Sequence, residues 1–254
     1  MLRAVRVVLK AAPVAILTGL SCLSGRSVSA RAQETVRFGG RQSLGISSSY
    51  SPDSSHILIG ESQQRRTWTG GIEYTHRLGH GQWVRWDYEG SIVPFYQESD
   101  PAVVAIRYTI NGVGYTIPQS PPVRETNVDR GPVGFVTAPH GVTAPIYAVY
   151  GRQSTNGGAF SPLGARATWL QRFRIQPSFS LDLGFVVSTR DIPIDDADQF
   201  NYMFSFCPGV QVFANPRSSL RLEYIYRHIS NAGQGNVNPG VDQGTFRLTV
   251  LSSR

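Results

Sequence analysis

Hydrophobic and polar residues alternate with a period of two along most of this chain. Between residues 176 and 188 the even positions are almost all small or polar, whereas the odd positions are Pro177, Phe179, Leu181, Leu183, Phe185 and Val187. Successive side chains of a β-strand point to opposite faces, so the pattern predicts strands with one apolar and one polar face. It predicts eight of them, at residues 43–50, 66–78, 82–97, 160–172, 174–189, 199–214, 218–230 and 243–251.

The connections between these strands alternate between short and long. Tight turns fall near residues 79–81, 173 and 215–217, and the longer connections are 51–65, 98–159, 190–198 and 231–242. An even strand number with short turns at one end and long loops at the other is typical of bacterial outer-membrane barrels. The rows of large aromatic side chains would hardly fit inside eight strands, which favours an apolar exterior. We therefore expect an all-β fold, an eight-stranded antiparallel transmembrane barrel of the outer membrane, although a soluble periplasmic barrel that binds a small lipid stays open.

The longest connection, residues 98–159, is rich in proline and glycine. A loop of that length usually contains structure of its own. Residues 107–117 predict a hairpin that turns at Asn111-Gly112, a dipeptide favoured in two-residue turns. We expect the whole segment to be an extracellular extension of the barrel.

The first thirty-two residues have the pattern of a secretory signal peptide. Arg3, Arg6 and Lys10 precede a short apolar run, and Ala30-Arg31-Ala32 offers small residues for cleavage. Removing residues 1–32 takes away five basic residues and no acid, so the formal charge falls from +7 to +2 and a nucleic-acid partner loses its main support. The barrel domain would then cover residues 33–254, with Cys207 as its single cysteine, which excludes an intrachain disulfide.

A histidine, a serine and an acid lie around the last two predicted strands. His228 and Ser230 are two residues apart on one strand, so they share a face with Cα atoms about 6–7 Å apart. Serine is a weak nucleophile unless an adjacent base takes its proton and a third group orients that base. Asp242 begins the next strand and can face His228. The same apolar face carries Leu222, Tyr224 and Tyr226, which are expected to contact a substrate acyl chain.

The run His228-Ile229-Ser230-Asn231-Ala232-Gly233, with Asn238-Pro239-Gly240 and Asp242 after it, resembles the signature of the lipid A 3-O-deacylase family of outer-membrane barrels. Weaker similarity includes Leu58-Ile59-Gly60-Glu61. The resemblance implies a carboxylic ester hydrolase that cleaves the 3-position ester of lipid A in lipopolysaccharide and needs neither metal nor organic cofactor. It also implies that a homodimer can form.

The resemblance assigns roles to individual residues. Ser230 would be the nucleophile, His228 its base and Asp242 the group that orients His228. The oxyanion would be supported by Asn231, Ala232, Gly233 and Asn238. The acid is a glutamate in the family's better-known members, so Asp242 is one methylene shorter, and the segment 98–159 is longer than the family pattern.

Other polar groups have simpler interpretations. His76 and His80 flank a tight turn without a thiol or carboxylate cluster, so we expect solvated residues and no metal site. Asp195, Asp196 and Asp198 lack the further ligands of a calcium site, which predicts an acidic extracellular loop. Arg65 and Arg66 are expected to face outward, either to bind lipid A phosphates or to anchor the barrel at the interface. A non-enzymatic structural or adhesive barrel remains the alternative function.

Overall fold

The computed structural model describes residues 38–139 and 141–254, without the side chain of His80. The predicted signal peptide, residues 1–32, lies outside the described residues. In the described part of the chain, no helix is long and apolar enough to cross a membrane. The ten strands are β1 (Gln42–Ser51), β2 (Arg66–His80), β3 (Val84–Ile110), β4 (Val113–Arg124), β5 (Pro132–Thr137), β6 (Thr143–Trp169), β7 (Ile175–Ile192), β8 (Asp198–Phe213), β9 (Ser218–Ser230) and β10 (Val241–Ser253).

Eight of these strands close into a ring. Their order is β3-β2-β1-β10-β9-β8-β7-β6, and β6 pairs back with β3 from Val84↔Trp169 onwards. All of the pairings are antiparallel, and closure leaves the ring without a free edge. The eight strands predicted from the alternation of side chains are therefore confirmed as an eight-stranded antiparallel barrel.

The two faces of the barrel wall are inverted relative to a soluble protein. In β9, Leu220, Leu222 and Tyr224 are exposed, while Arg221 and Glu223 between them are buried. The same distribution recurs around the ring, where most of the large exposed side chains are apolar and many buried ones are charged. A polar interior with an apolar outer surface is the arrangement of a transmembrane barrel, and it contradicts the alternative of a soluble barrel with an apolar lumen.

Ionic side chains fill the interior. We call the set that links β2, β3, β6, β9 and β10 the interior ion cluster, and it consists of Glu73, Glu89, Arg166, Arg221, Glu223 and Arg247. Arg166 lies 2.8 Å from Glu223, Arg221 lies 2.9 Å from Glu89, and Arg247 lies 2.8 Å from Glu223. Two interior cavities beside the cluster measure only about 10 Å³ each, roughly the room for one water molecule. The cluster therefore braces the wall from within and leaves no wide channel at this level.

The predicted connection 98–159 is mostly strand. Strands β3 and β6 continue as a pair beyond the ring, from Ser99↔Ser154 to Arg107↔Tyr147, and β4 and β5 join their outer edges. The predicted hairpin at Asn111-Gly112 is present, with φ angles of 52° and 78° that suit its two-residue turn. Strand β3 therefore ends later than predicted and β6 begins earlier, because the prolines and glycines of this segment interrupt the alternation but not the pairing.

Candidate active site at the outer rim of the barrel

Strand β9 carries His228 and Ser230 to its end, where the chain turns towards β10. Both residues lie on the same outward face of the strand as Leu222 and Tyr224. In the register between β9 and β10, Asp242 lies directly opposite His228, so the two side chains share the outward face. The structure thus brings the predicted histidine and acid together outside the lumen.

His228 and Asp242 form a close pair. His228 Nδ1 lies 2.7 Å from Asp242 Oδ1, and the ring of Phe204 packs on the imidazole with a centroid distance of 5.2 Å. A carboxylate can only accept a hydrogen bond, so Nδ1 carries the proton and Nε2 of the neutral ring keeps its lone pair. This tautomer leaves Nε2 of His228 able to accept a proton.

Asp242 accepts four hydrogen bonds and is completely buried. Its Oδ1 also accepts from the Tyr226 hydroxyl at 2.9 Å, and its Oδ2 accepts from the backbone N–H of Leu58 at 2.7 Å and of Ile59 at 3.0 Å. Hydrogen bonds to the charged form favour the carboxylate. Tyr226 was predicted only to contact an acyl chain, so this bond to Asp242 is new. The two amides were not predicted either, although the Leu58-Ile59-Gly60-Glu61 similarity pointed to that loop.

Ser230 has different partners. Its Oγ donates to Asn238 Oδ1 at 2.9 Å and accepts from the Ala232 N–H at 3.1 Å. Among the described residues, no hydrogen bond joins Ser230 to His228. The structure therefore brings the predicted residues together as two pairs on one face, His228 with Asp242 and Ser230 with Asn238.

The turn after Ser230 is held by its own side chains. The Asn231 N–H donates to Asn238 Oδ1 at 3.2 Å, and the Gly233 N–H donates to Asn231 Oδ1 at 2.9 Å. Ala232 and Gly233 adopt φ angles of 54° and 77°, a left-handed conformation that glycine tolerates best. The amides predicted to support an oxyanion are thus gathered beside Ser230, and each already has an acceptor.

An apolar track on the outer wall leads to Ser230. Leu222 is 52% exposed and Tyr224 45% exposed, while Tyr226 is half-buried because its hydroxyl reaches Asp242. The paired strand β8 adds the exposed rings of Tyr202, opposite Ser230, and Phe206, opposite Tyr226. The site therefore opens onto the surface that lipid covers.

The remaining candidate residues lie elsewhere. The prediction that Arg65 faces outward is wrong, because its guanidinium is fully buried and donates to the backbone carbonyls of Thr126 and Pro193. That burial lowers the pKa of Arg65. Arg66 is exposed, and Asp195 pairs with Arg124 at 2.5 Å. Across residues 38–139 and 141–254, no group of three His, Cys, Asp or Glu side chains is placed to hold a metal ion.

Comparison with known proteins finds a family whose model matches the part of the chain that contains this site. The model of the family "Lipid A 3-O-deacylase (PagL)" matches residues 137–250, a stretch that contains β6 to β9, most of β10 and every predicted site residue. The resemblance to that family is confirmed. No curated protein matches the chain.

Three solved structures are similar to this chain. Neisserial surface protein A (NspA) has 13% identity and a TM-score of 0.43, with 85% of this chain and 99% of that chain covered. The outer membrane enzyme PagL has 12% identity and a TM-score of 0.44, with 83% and 99% covered. The outer membrane protein OprG from Pseudomonas aeruginosa has 9% identity and a TM-score of 0.42, with 86% and 99% covered.

Proposed function

We propose that this protein is an outer-membrane serine esterase that hydrolyses the acyl ester at the 3-position of lipid A. The observation that carries the proposal is the His228–Asp242 pair, oriented as a base on the outward face two residues before Ser230. A solvated polar cap would not need a buried carboxylate with four donors. The match to the lipid A 3-O-deacylase family supplies the substrate class.

The proposed reaction begins when the Ser230 hydroxyl turns from Asn238 towards Nε2 of His228. Both residues share one face at i and i+2, so a change of the Ser230 rotamer directs its Oγ to the imidazole. Ser230 Oγ then attacks the ester carbonyl while His228 takes its proton, and Asp242 stabilises the imidazolium that forms.

The tetrahedral intermediate carries a negative oxygen beside the turn 231–238. We assign its stabilisation to the Ala232 N–H and to the carboxamide of Asn238, with Asn231 and Gly233 holding the turn in place. His228 then returns the proton to the lipid A hydroxyl that leaves. Water hydrolyses the acyl-enzyme in the second half of the reaction and releases a 3-hydroxy fatty acid.

The barrel wall positions the substrate in this proposal. The acyl chain lies in the bilayer along Leu222 and Tyr224, and the ester reaches Ser230 at the rim. This requires the loop end of the barrel to face the outer leaflet, with residues 1–32 acting as the export signal and the extension within 98–159 outside the cell. The family resemblance also suggests a homodimer.

Lipid A mass spectrometry tests the function directly. The chain, its Ser230→Ala variant and a Ser218→Ala control are expressed in a Gram-negative host, and lipid A is extracted from each strain. Ser218 lies at the opposite end of the same strand, so its variant controls for the change of a β9 serine. We expect the native protein and the control to remove one hydroxyacyl group and Ser230→Ala to remove none. Identical spectra for the native protein and Ser230→Ala would favour a non-enzymatic barrel instead.

A further inference from the structure

We propose that the β1–β2 loop, residues 56–62, is a lipid-contacting positioning element of the active site. In this inference, which rests on the proposed function, the amides of Leu58 and Ile59 hold Asp242 while the side chains of Ile57, Leu58 and Ile59 lie in the outer leaflet. Contact with lipid and orientation of His228 then depend on the same few residues.

The β1–β2 loop contacts Asp242 directly. Asp242 Oδ2 accepts from two consecutive backbone amides, at 2.7 Å from Leu58 and 3.0 Å from Ile59. The other carboxylate oxygen binds His228. One carboxylate thus bridges the loop and the proposed base, so a shift of the loop moves the imidazole.

The loop is also tied to the connection between β9 and β10. The Glu61 N–H donates to Pro239 O at 2.7 Å, and the Ser62 N–H donates to Gly240 O at 3.0 Å. Between these bonds and the amide pair lies Gly60, where an added Cβ would stand only 2.4 Å from the backbone nitrogen of Asp242. The chain can approach the carboxylate this closely only with glycine at residue 60.

This approach also explains how a short acid serves the site. The loop supplies two donors to the side of the carboxylate that faces away from His228, so Asp242 is fixed without the extra methylene of a glutamate. Tyr226 fixes the other oxygen from the wall, at 2.9 Å. We therefore count Leu58, Ile59, Gly60 and Tyr226 as positioning residues.

The β1–β2 loop lies on the outer face of the barrel wall. Asp242 shares the outward face with His228, so a loop whose amides bind that carboxylate must fold over the outside of the wall. There it presents three consecutive apolar side chains, with Ile57 41%, Leu58 62% and Ile59 58% exposed. Exposed aliphatic residues at the rim of a membrane barrel are stabilised by contact with lipid.

Steady-state kinetics on lipid A in mixed detergent micelles separates the two roles of the loop. We expect Gly60→Ala and Leu58→Pro, which removes an amide donor, to lower kcat about 10- to 100-fold with little change in KM, because small misplacements of a base are costly. The double variant Ile57→Ser with Ile59→Ser is expected to raise KM. Gly114→Ala is the matched control, since a Cβ at Gly114 meets open space.

A second measurement does not depend on activity. In protein labelled with ¹⁵N-histidine, the Nδ1–H tautomer of His228 is read by NMR in micelles. We expect that signature to be lost in Gly60→Ala and Leu58→Pro and kept in Gly114→Ala, all with native heat-modifiable migration on gels. Native kcat together with a native His228 signature in Gly60→Ala and Leu58→Pro would overturn the proposal. An inactive native protein whose His228 signature still responds to the loop would instead count against the esterase function alone.

Discussion

The interior ion cluster and the His228–Asp242 pair are both buried polar groups that involve β9 and β10, yet they differ in what surrounds them. In the interior ion cluster, each arginine meets carboxylates from at least two strands, and the two cavities beside the cluster are about 10 Å³ each. Outside, a single carboxylate meets a single imidazole, with a serine two residues away and an apolar surface beside it. The candidate active site is therefore not the region of this barrel with the most charged side chains.

The physical reason for the difference is access. Charges in the lumen are removed from water and from lipid alike, so their mutual attraction offsets the cost of desolvation and joins the strands. The His228–Asp242 pair instead lies on the outward rim, beside an apolar surface, where the proposed function requires the ester of an outer-leaflet lipid to bind. The following substitutions test this division between a bracing interior and a reactive exterior.

The largest effect is expected for Asp242→Asn. The amide cannot accept from His228 and both loop amides as the carboxylate does, so the imidazole loses its orientation, and we expect kcat to fall about 10⁴-fold. Deacylation is measured on lipid A in micelles. Asp182→Asn in the lumen is the control and should keep native activity; equal losses in the two variants would contradict the division.

The interior is tested by Arg221→Met. This change leaves Glu73, Glu89 and Glu223 without one of their partners, and breaking a buried pair costs about 3–5 kcal/mol in the free energy of unfolding. Denaturation in detergent, followed by heat-modifiable migration, gives the stability, while the folded fraction should keep its kcat. Arg66→Met, at an exposed position, provides the reference. If Arg221→Met lowers kcat without lowering the free energy of unfolding, Arg221 does more than brace the wall.

A smaller effect is expected for Asn238→Ala. Removing the carboxamide takes away the acceptor of the Ser230 hydroxyl and a donor to the oxyanion, which should lower kcat about 10²- to 10³-fold. Asn236→Ala in the same connection is the matched control for the measurement on lipid A. Native kcat in Asn238→Ala would show that the turn alone stabilises the intermediate.

The smallest effect is expected on the outer wall. Leu222→Ser removes apolar surface from the acyl track and should raise KM by about tenfold or less, because an acyl chain covers only the exposed half of this side chain and full burial of a leucine contributes about 1.5–3 kcal/mol. Leu44→Ser, also exposed but on β1, is the comparison in the same assay. Equal changes in KM for both variants would mean that the acyl chain does not follow β9.

Much of the fold followed from the sequence because a strand alternates its side chains whatever its neighbours are. This alternation alone placed His228 and Ser230 on the same face as Leu222, without any tertiary information. The hairpin at Asn111-Gly112 was likewise a local property of two residues that tolerate positive φ angles. The extension of β3 and β6 beyond the ring was not predicted. It depends on pairing between residues 99–107 and residues 147–154, two segments that are distant in the sequence.

Local pattern therefore determined the eight strands of the ring, the two faces of each strand and the motif from His228 to Asp242. Only the tertiary structure decided that Arg65 is buried among loop carbonyls and that the amides of Leu58 and Ile59 bind a carboxylate 184 and 183 residues away along the chain. Backbone amides carry no side-chain identity, and their direction depends on how a loop crosses another strand. For that reason the two amides that bind Asp242 can be identified only from the structure, in which β1 pairs with both β2 and β10.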